Sequence, residues 1–296
     1  MQITFYGVRG SIASPGPTTI KYGGNTSCVH VRTRSGMNLI LDAGTGIRKL
    51  GMRLARHSEP LLLLLSHGHW DHIQGYPFFE PIYQKDRDIV VFQGIEGNAS
   101  TLRALLEQMN GSNFPVRADA LPSTMTVINE VADYLGQQNF RTRRRTLNHP
   151  GGGYAYHIEE DGVSIVYITD NELNPPGEST TSYAQWVDFC QGVDLMIHDA
   201  QYDESDMPAK HGWGHSLISQ VRQLAVDAQV KNVVMYHHDP ERTDSELDEI
   251  AIESARFFKS KNSTIGSFIA AEGLTIDLKA RKDVMVSTLD LNARTP

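Results

Sequence analysis

Apolar and polar positions follow two rhythms along this chain, and the rhythm switches repeatedly from one end to the other. Short apolar runs rich in valine, isoleucine and leucine predict strands at 2–6, 27–33, 37–42, 60–66 and 88–94. A second series is expected at 125–131, 138–146, 153–159 and 163–169, with later strands at 194–198, 232–236, 266–270 and 273–278. Between them, apolar residues at helical spacing predict helices. Leu102, Leu105, Leu106 and Met109 keep that spacing over 99–109, and Leu217, Ile218, Val221, Leu224 and Ala225 keep it over 215–228. Helices are also expected at 45–57, 180–190 and 243–259, the last opened by Thr243 and Asp244 as natural caps. Periodicity alone says α/β or α+β, and the chain reads as one domain over 1–296. The segment 94–122 is a candidate lid, its competing reading being a peripheral helix and loop. The tail from Lys279 onward mixes polarities and is expected to order in part against a partner.

Composition narrows the picture. With 296 residues, 40% hydrophobic and 21% charged, the chain is an ordinary globular protein able to bury a large core. No apolar run reaches the roughly 18 residues of a membrane-spanning helix, so no membrane partner is expected. Met1-Gln2-Ile3-Thr4-Phe5 passes straight into a strand without a signal-peptide pattern, and a cytoplasmic location is expected. Cys28 and Cys190 read as buried fillers in a reduced compartment. A net charge of −8 argues against a broad nucleic-acid surface. The local exception is Arg141, Arg143, Arg144 and Arg145, of which Arg141, Arg143 and Arg145 share one strand face. They either steer an anionic substrate or form a solvated face, and the second reading is preferred.

The chemistry sits after the apolar run 61–65, in Ser66-His67-Gly68-His69-Trp70-Asp71-His72. Imidazole and carboxylate donors suit zinc first, with manganese or iron(II) also fitting. His67 and His69, two apart in an extended loop, can grip one ion. Asp71 and His72, past a turn, can face a second. Two ions about 3.5–4 Å apart make the clamp used for in-line displacement at phosphorus. More candidates follow at strand ends: His149 in Leu147-Asn148-His149-Pro150-Gly151-Gly152, Asp170 after the strand at 163–169, and His237 after Val233-Val234-Met235-Tyr236. Singly, each histidine is more often structural. Their order and shared position make the case.

The HxHxDH run is the signature of the metallo-β-lactamase superfamily of hydrolases, which this chain resembles. The resemblance implies a four-layer αββα sandwich with metals where strand-end loops converge. It implies two divalent ions: His67, His69 and His149 on one, Asp71, His72 and His237 on the other, with Asp170 bridging them beside a water or hydroxide. His69 stands where oxygen-reducing iron relatives carry a glutamate, and no cysteine takes a late ligand place. Ile197-His198-Asp199-Ala200 and Gly214-His215-Ser216 resemble the carboxylate strand and histidine–serine helix start of the ribonuclease Z and phosphodiesterase branch. Phe5-Tyr6-Gly7-Val8-Arg9-Gly10-Ser11, Tyr22-Gly23-Gly24-Asn25-Thr26-Ser27 and Leu41-Asp42-Ala43-Gly44-Thr45-Gly46 resemble bacterial members of that branch. Asp42 is expected to brace the metal loop. Asp71, Asp199 and His215 are the catalytic candidates. By the same resemblance Asp199 fixes His215, which stabilises charge or protonates the departing oxygen, work worth roughly 10²–10⁴-fold. A homodimer is also implied.

Charge bookkeeping supports an anionic substrate: two dications, two carboxylates and a hydroxide leave about +1, suited to a phosphodiester monoanion. No basic protruding arm for transfer RNA is visible, so a small phosphodiester is expected first, with a cyclic nucleotide leading. The alternatives are a ribonuclease Z-like RNA 3′-processing endonuclease and a carboxyl ester, thioester or lactone hydrolase. A non-catalytic metal-binding module is the reading least supported by the residues.

Overall fold

The fold follows from strands that are apolar on both faces. In the strand Leu61–Leu64 every residue is buried. Leu62 and Leu64 face one apolar cluster, whereas Leu61 and Leu63 face another with Leu65. A strand buried on both sides needs a layer on each side. The computed structural model describes residues 1–92, 94, 100–131, 134, 140–279 and 284–288, and these form a four-layer αββα sandwich.

The first sheet is built from β1 (Gln2–Gly7), β2 (Cys28–Arg32), β3 (Asn38–Leu41), β4 (Leu61–Leu64), β5 (Asp88–Phe92) and β6 (Thr124–Ile128). β7 (Phe140–Thr146), β8 (Tyr154–Glu160), β9 (Val163–Ile168), β10 (Leu195–Asp199), β11 (Asn232–Tyr236) and β12 (Gly266–Ile269) form the second. The chain then returns to the first sheet with β13 (Leu274–Leu278) and β14 (Val284–Thr288). Strand orders are 14-13-1-2-3-4-5-6 and 12-11-10-9-8-7. Strands β3 to β6 run parallel, as do β9 to β12, so within each group the carboxyl ends share one edge. Phe5, Leu41, Leu64 and Phe92 from the first sheet meet Tyr156, Ile165, Tyr167 and Tyr236 from the second in the central core. At about 25 cal/mol per Å² of apolar surface, this double-sided burial is the main stabilising contribution.

Outside the first sheet lie α1 (Ile47–Leu54), the one-turn α2 (Trp70–Ile73) and α3 (Thr101–Glu107). Outside the second lie α4 (Tyr183–Cys190), α5 (Ile218–Asp227) and α6 (Asp244–Ser260). Thr243 caps α6 in a reciprocal pair with Glu246, as its sequence predicts. Both cysteines are buried and free. No described helix is long and apolar enough to cross a membrane.

One expectation is corrected and two are filled out. The helix predicted from 215 begins at Ile218, because Ser216 Oγ donates to the Asn171 carbonyl at 2.5 Å and Leu217 bridges Tyr202. His215 therefore lies in the loop before the helix. Of the tail expected to order in part against a partner, Val284–Thr288 is ordered by pairing with β13 of its own chain. The remaining tail residues, 280–283 and 289–296, lie outside the described residues. The arginine row is the solvated face expected, with Arg141, Arg143 and Arg144 exposed and Arg145 half-buried. Arg143 and Arg145 lie over Phe189, and Arg144 over Tyr154.

Much of the segment read as a candidate lid is described, apart from 95–99. Leu105 and Met109 are buried in the outer apolar layer of the first sheet. Gln108 donates to the Ile73 carbonyl at 2.9 Å, and Phe114 packs edge-on to Phe78. Gly68 of the metal loop backs onto this segment, since a Cβ there would lie 3.1 Å from the Ala104 Cβ.

Candidate active site

Every predicted chemical residue except His215, which precedes α5, lies at or just beyond the carboxyl end of a strand. Asp42 follows β3, His67 to His72 follow β4, and His149 follows β7. Asp170 follows β9, Asp199 ends β10, and His237 follows β11. Asp42, Asp170 and His237 have φ of 63°, 50° and 60°, the left-handed region that turns each side chain away from its strand direction. Non-glycine residues adopt this conformation at a cost of order 1–2 kcal/mol, held here by the surrounding sheets.

Two groups of donors result. His67, His69, His149 and Asp170 each offer one atom within 4.8 Å of the others, and so do Asp71, His72, Asp170 and His237. Asp170 belongs to both. Its Oδ2 is 3.6 Å from the Nε2 atoms of His67 and His149, and its Oδ1 is 3.0 Å from those of His72 and His237. One carboxylate thus presents a separate oxygen to each group.

The histidines are held through their other nitrogen. His72 Nδ1 donates to Asp42 Oδ2 at 2.8 Å, and His149 Nδ1 donates to the Gly214 carbonyl at 3.0 Å. His237 Nδ1 bonds Gln201 Oε1 at 2.8 Å. Each Nε2 is left with its lone pair facing the cluster, the arrangement found where imidazole binds metal. Asp42 is the brace its sequence position suggests. It also accepts from the Ser66 amide at 2.6 Å, the Ser66 hydroxyl at 2.8 Å and the Tyr167 hydroxyl at 2.7 Å.

The donor set fits a pair of divalent cations. His67 Nε2 is buried without a hydrogen-bond partner, an arrangement that costs roughly 1–3 kcal/mol unless a cation satisfies it. Burial drives the His67 imidazole well below its ordinary range, and drives His149 down to about 4 and His69 downward. Neutral imidazoles are what a metal requires. Asp71 and Asp170 are held well below the carboxylate range; burial opposes this, but the neighbouring histidines outweigh it.

A third group, Asp199, His215 and His237, also falls within 4.8 Å. It is organised otherwise. His215 Nδ1 donates to Asp199 Oδ2 at 2.8 Å, and that carboxylate also accepts from the amides of Asn171 and Gln201 at 3.2 and 3.0 Å. Burial disfavours the imidazolium of His215, yet the Asp199 charge prevails and lifts its pKa to about 9. The His215 ring stacks on His237 with centroids 5.1 Å apart. A protonated, carboxylate-anchored imidazole beside the donor cluster is arranged to give up a proton.

Four contributors escape the sequence reading. Gln201 orients His237, the Ser11 amide donates to Asp71 Oδ2 at 2.8 Å, and Tyr167 supports Asp42. Glu172 accepts from the amides of Gly212 and Gly214, both at 3.0 Å, and so shapes the loop before His215. Gln201 alone carried a local signal, as a polar residue two positions past Asp199.

The superfamily profile described as the beta-lactamase superfamily domain matches residues 37–238, more than half of the chain. The chain belongs to the metallo-β-lactamase superfamily. It is a hydrolase of that superfamily, whose fold implies divalent metal ions. Ribonuclease Z of Natronomonas pharaonis is 24% identical, over 84% of this chain and 92% of that protein. Ribonuclease Z of Thermoplasma volcanium is 30% identical, but over 44% of this chain and only 38% of the relative's length. Among solved structures, the metallo-β-lactamase fold protein YhfI from Bacillus subtilis has a TM-score of 0.64 at 16% identity, covering 93% of this chain and 99% of that one. At such identity the structural likeness speaks for the fold alone.

Proposed function

We propose that this superfamily member hydrolyses phosphodiesters, with the two donor groups holding one divalent ion each and Asp170 shared between them. The observation that carries the reading is the Asp170 carboxylate, one oxygen toward each histidine group. Nitrogen and oxygen donors without thiolate favour zinc. When bound, such ions polarise a phosphoryl oxygen and make water nucleophilic near neutral pH.

The chain's own residues do the rest. Asp42, Gln201 and the Gly214 carbonyl fix the tautomers of His72, His237 and His149. Asp199 keeps His215 protonated and aimed, and His215 gives its proton to the oxygen leaving phosphorus as the P–O bond breaks. An alkoxide leaving phosphorus needs such an acid, as does one leaving a carboxyl ester, so the preference for diesters rests on the relatives' names.

For the substrate, the relatives' names favour RNA: those cited above are ribonuclease Z enzymes. An RNA 3′-processing activity therefore replaces the cyclic nucleotide as the leading reading. The small-diester reading keeps support from the net charge of −8. A homodimer in the cytoplasm remains the assembly and location proposed. The deciding experiment assays metal-quantified protein on precursor transfer RNA, a cyclic nucleotide panel and bis-p-nitrophenyl phosphate. Endonucleolytic cleavage at one 3′ position, faster than any small diester, is expected. Absence of turnover on all three, with two metals bound, removes the proposal.

A further inference from the structure

A cavity of about 170 Å³ opens beside His215, the one member of the donor groups in its lining. Its walls are Met207, Pro208 and Leu217, with the amides of Asn174 and Gln220 at the edge. Glu172 also lines it, but both carboxylate oxygens are occupied by the Gly212 and Gly214 amides. His211 is tied to the Asn174 carbonyl at 3.0 Å. No lysine or arginine contributes to the lining among the described residues. The cation on this lining is His215, whose charge Asp199 already balances, so a second phosphate would find no free counter-charge here.

What the cavity suits is an uncharged, flat, largely apolar body. Its volume is below the roughly 300–1,000 Å³ of a complete small-molecule site, so it holds one ring system and not a whole ligand. Gln220 Oε1 is used by the Leu217 amide at 3.2 Å, which leaves the amide nitrogen to donate outward. His215 is the shared wall between cavity and donor cluster. Whatever is attached to the oxygen that His215 protonates must start at this wall.

We propose that this cavity is a base subsite for the departing side of the substrate. It receives the nucleobase attached through its sugar to the leaving oxygen, with the ring face against Met207, Pro208 and Leu217 and a ring acceptor on Gln220. The inference rests on the phosphodiesterase reading and extends it to substrate class.

The test separates the two. Binding of free nucleosides, which carry no phosphate, is measured by calorimetry on metal-loaded protein, alongside inorganic phosphate as a probe of the donor cluster. Leu217→Trp fills the cavity, and Gln220→Leu removes its donor while keeping volume. The expected result is nucleoside binding weakened at least tenfold by each variant, with phosphate affinity changed less than twofold. Failure of wild-type protein to bind any nucleoside, or equal binding by both variants, overturns the subsite. Loss of phosphate binding together with absent bis-p-nitrophenyl phosphate turnover would instead overturn the underlying phosphodiesterase reading.

Discussion

The Nε2 atoms of His72 and His237 face each other at 3.3 Å, although each ring already has a partner at its Nδ1. Two imidazole lone pairs at that distance repel unless a positive charge sits among them. In the protein without metal a proton takes this role. His72 is pushed well above its ordinary pKa, burial opposing the shift and the carboxylates of Asp170, Asp71 and Asp42 outweighing it. A divalent cation replaces that proton with a stronger and fixed charge.

Metal binding should therefore release protons and stabilise the fold. At metal a thousandfold above its dissociation constant, linkage predicts about 4 kcal/mol. Chelation should lower the melting temperature and abolish hydrolysis, with two equivalents of metal restoring both. Differential scanning fluorimetry with metal analysis checks this; a midpoint indifferent to chelator would contradict it.

Asp42→Asn tests the brace beneath the site. The carboxylate accepts from Ser66, His72 and Tyr167, and an amide cannot accept all of these at once. Metal affinity should fall roughly 10–100-fold, the usual scale for a partner that orients a metal-bound histidine. Titration against a competing chelator reads this directly.

His215→Ala should reduce turnover of diesters with alkoxide leaving groups by roughly 10²–10⁴-fold. Bis-p-nitrophenyl phosphate should suffer much less, since its leaving group needs no proton. The pH profile gives an independent check. The acid must be protonated, so activity should fall as pH rises through about 9, where His215 loses its proton. Asp199→Asn should move that alkaline limb to lower pH. A limb that stays in place would exclude His215 as the proton donor.

Gly10→Ala probes a close approach that no larger residue permits. A Cβ at Gly10 would lie 2.5 Å from His237 Nδ1 and 2.6 Å from Gln201 Oε1. The substitution should displace His237 and weaken one of two metal equivalents while the global fold survives. Stoichiometric metal titration would show one tight site and one impaired.

Acid sensitivity away from the site should come from His30. Burial lowers its pKa to about 4, so the fold holds it neutral while the unfolded chain binds a proton below about 6.5. Its contribution is complete above that value and is lost as pH falls toward 4, at up to about 1.4 kcal/mol per pH unit. Urea unfolding of His30→Gln between pH 6.5 and 5 should show a shallower slope by that amount, at constant metal.

The strand-end placement of His67, Asp170 and His237 was legible because each follows an apolar run in sequence, whereas His149 follows the arginine-rich β7 and was legible from its glycine run and its order among the others. Local pattern carries that information. The Ser11 amide was not legible, because it acts across 60 residues through a single hydrogen bond, and Gln201, 36 residues from His237, carried only its place beside Asp199. β14 was missed for a related reason. Its pairing with β13 comes after a charged stretch, and an edge strand carries little burial signal. The start of α5 was misplaced by three residues because the apolar spacing continues through Leu217, while Ser216 is bound to Asn171.

The left-handed backbone at Asp42, Asp170 and His237 has a bearing on how this protein tolerates change. Glycine would release that strain, but at Asp42 it would also strand the buried donors of Ser66, His72 and Tyr167, so a gain in robustness alongside lost chemistry is expected only at Asp170 and His237. A melting point raised by such a replacement would mark the protein as held taut for its reaction, its resilience kept below what the same two sheets could otherwise reach.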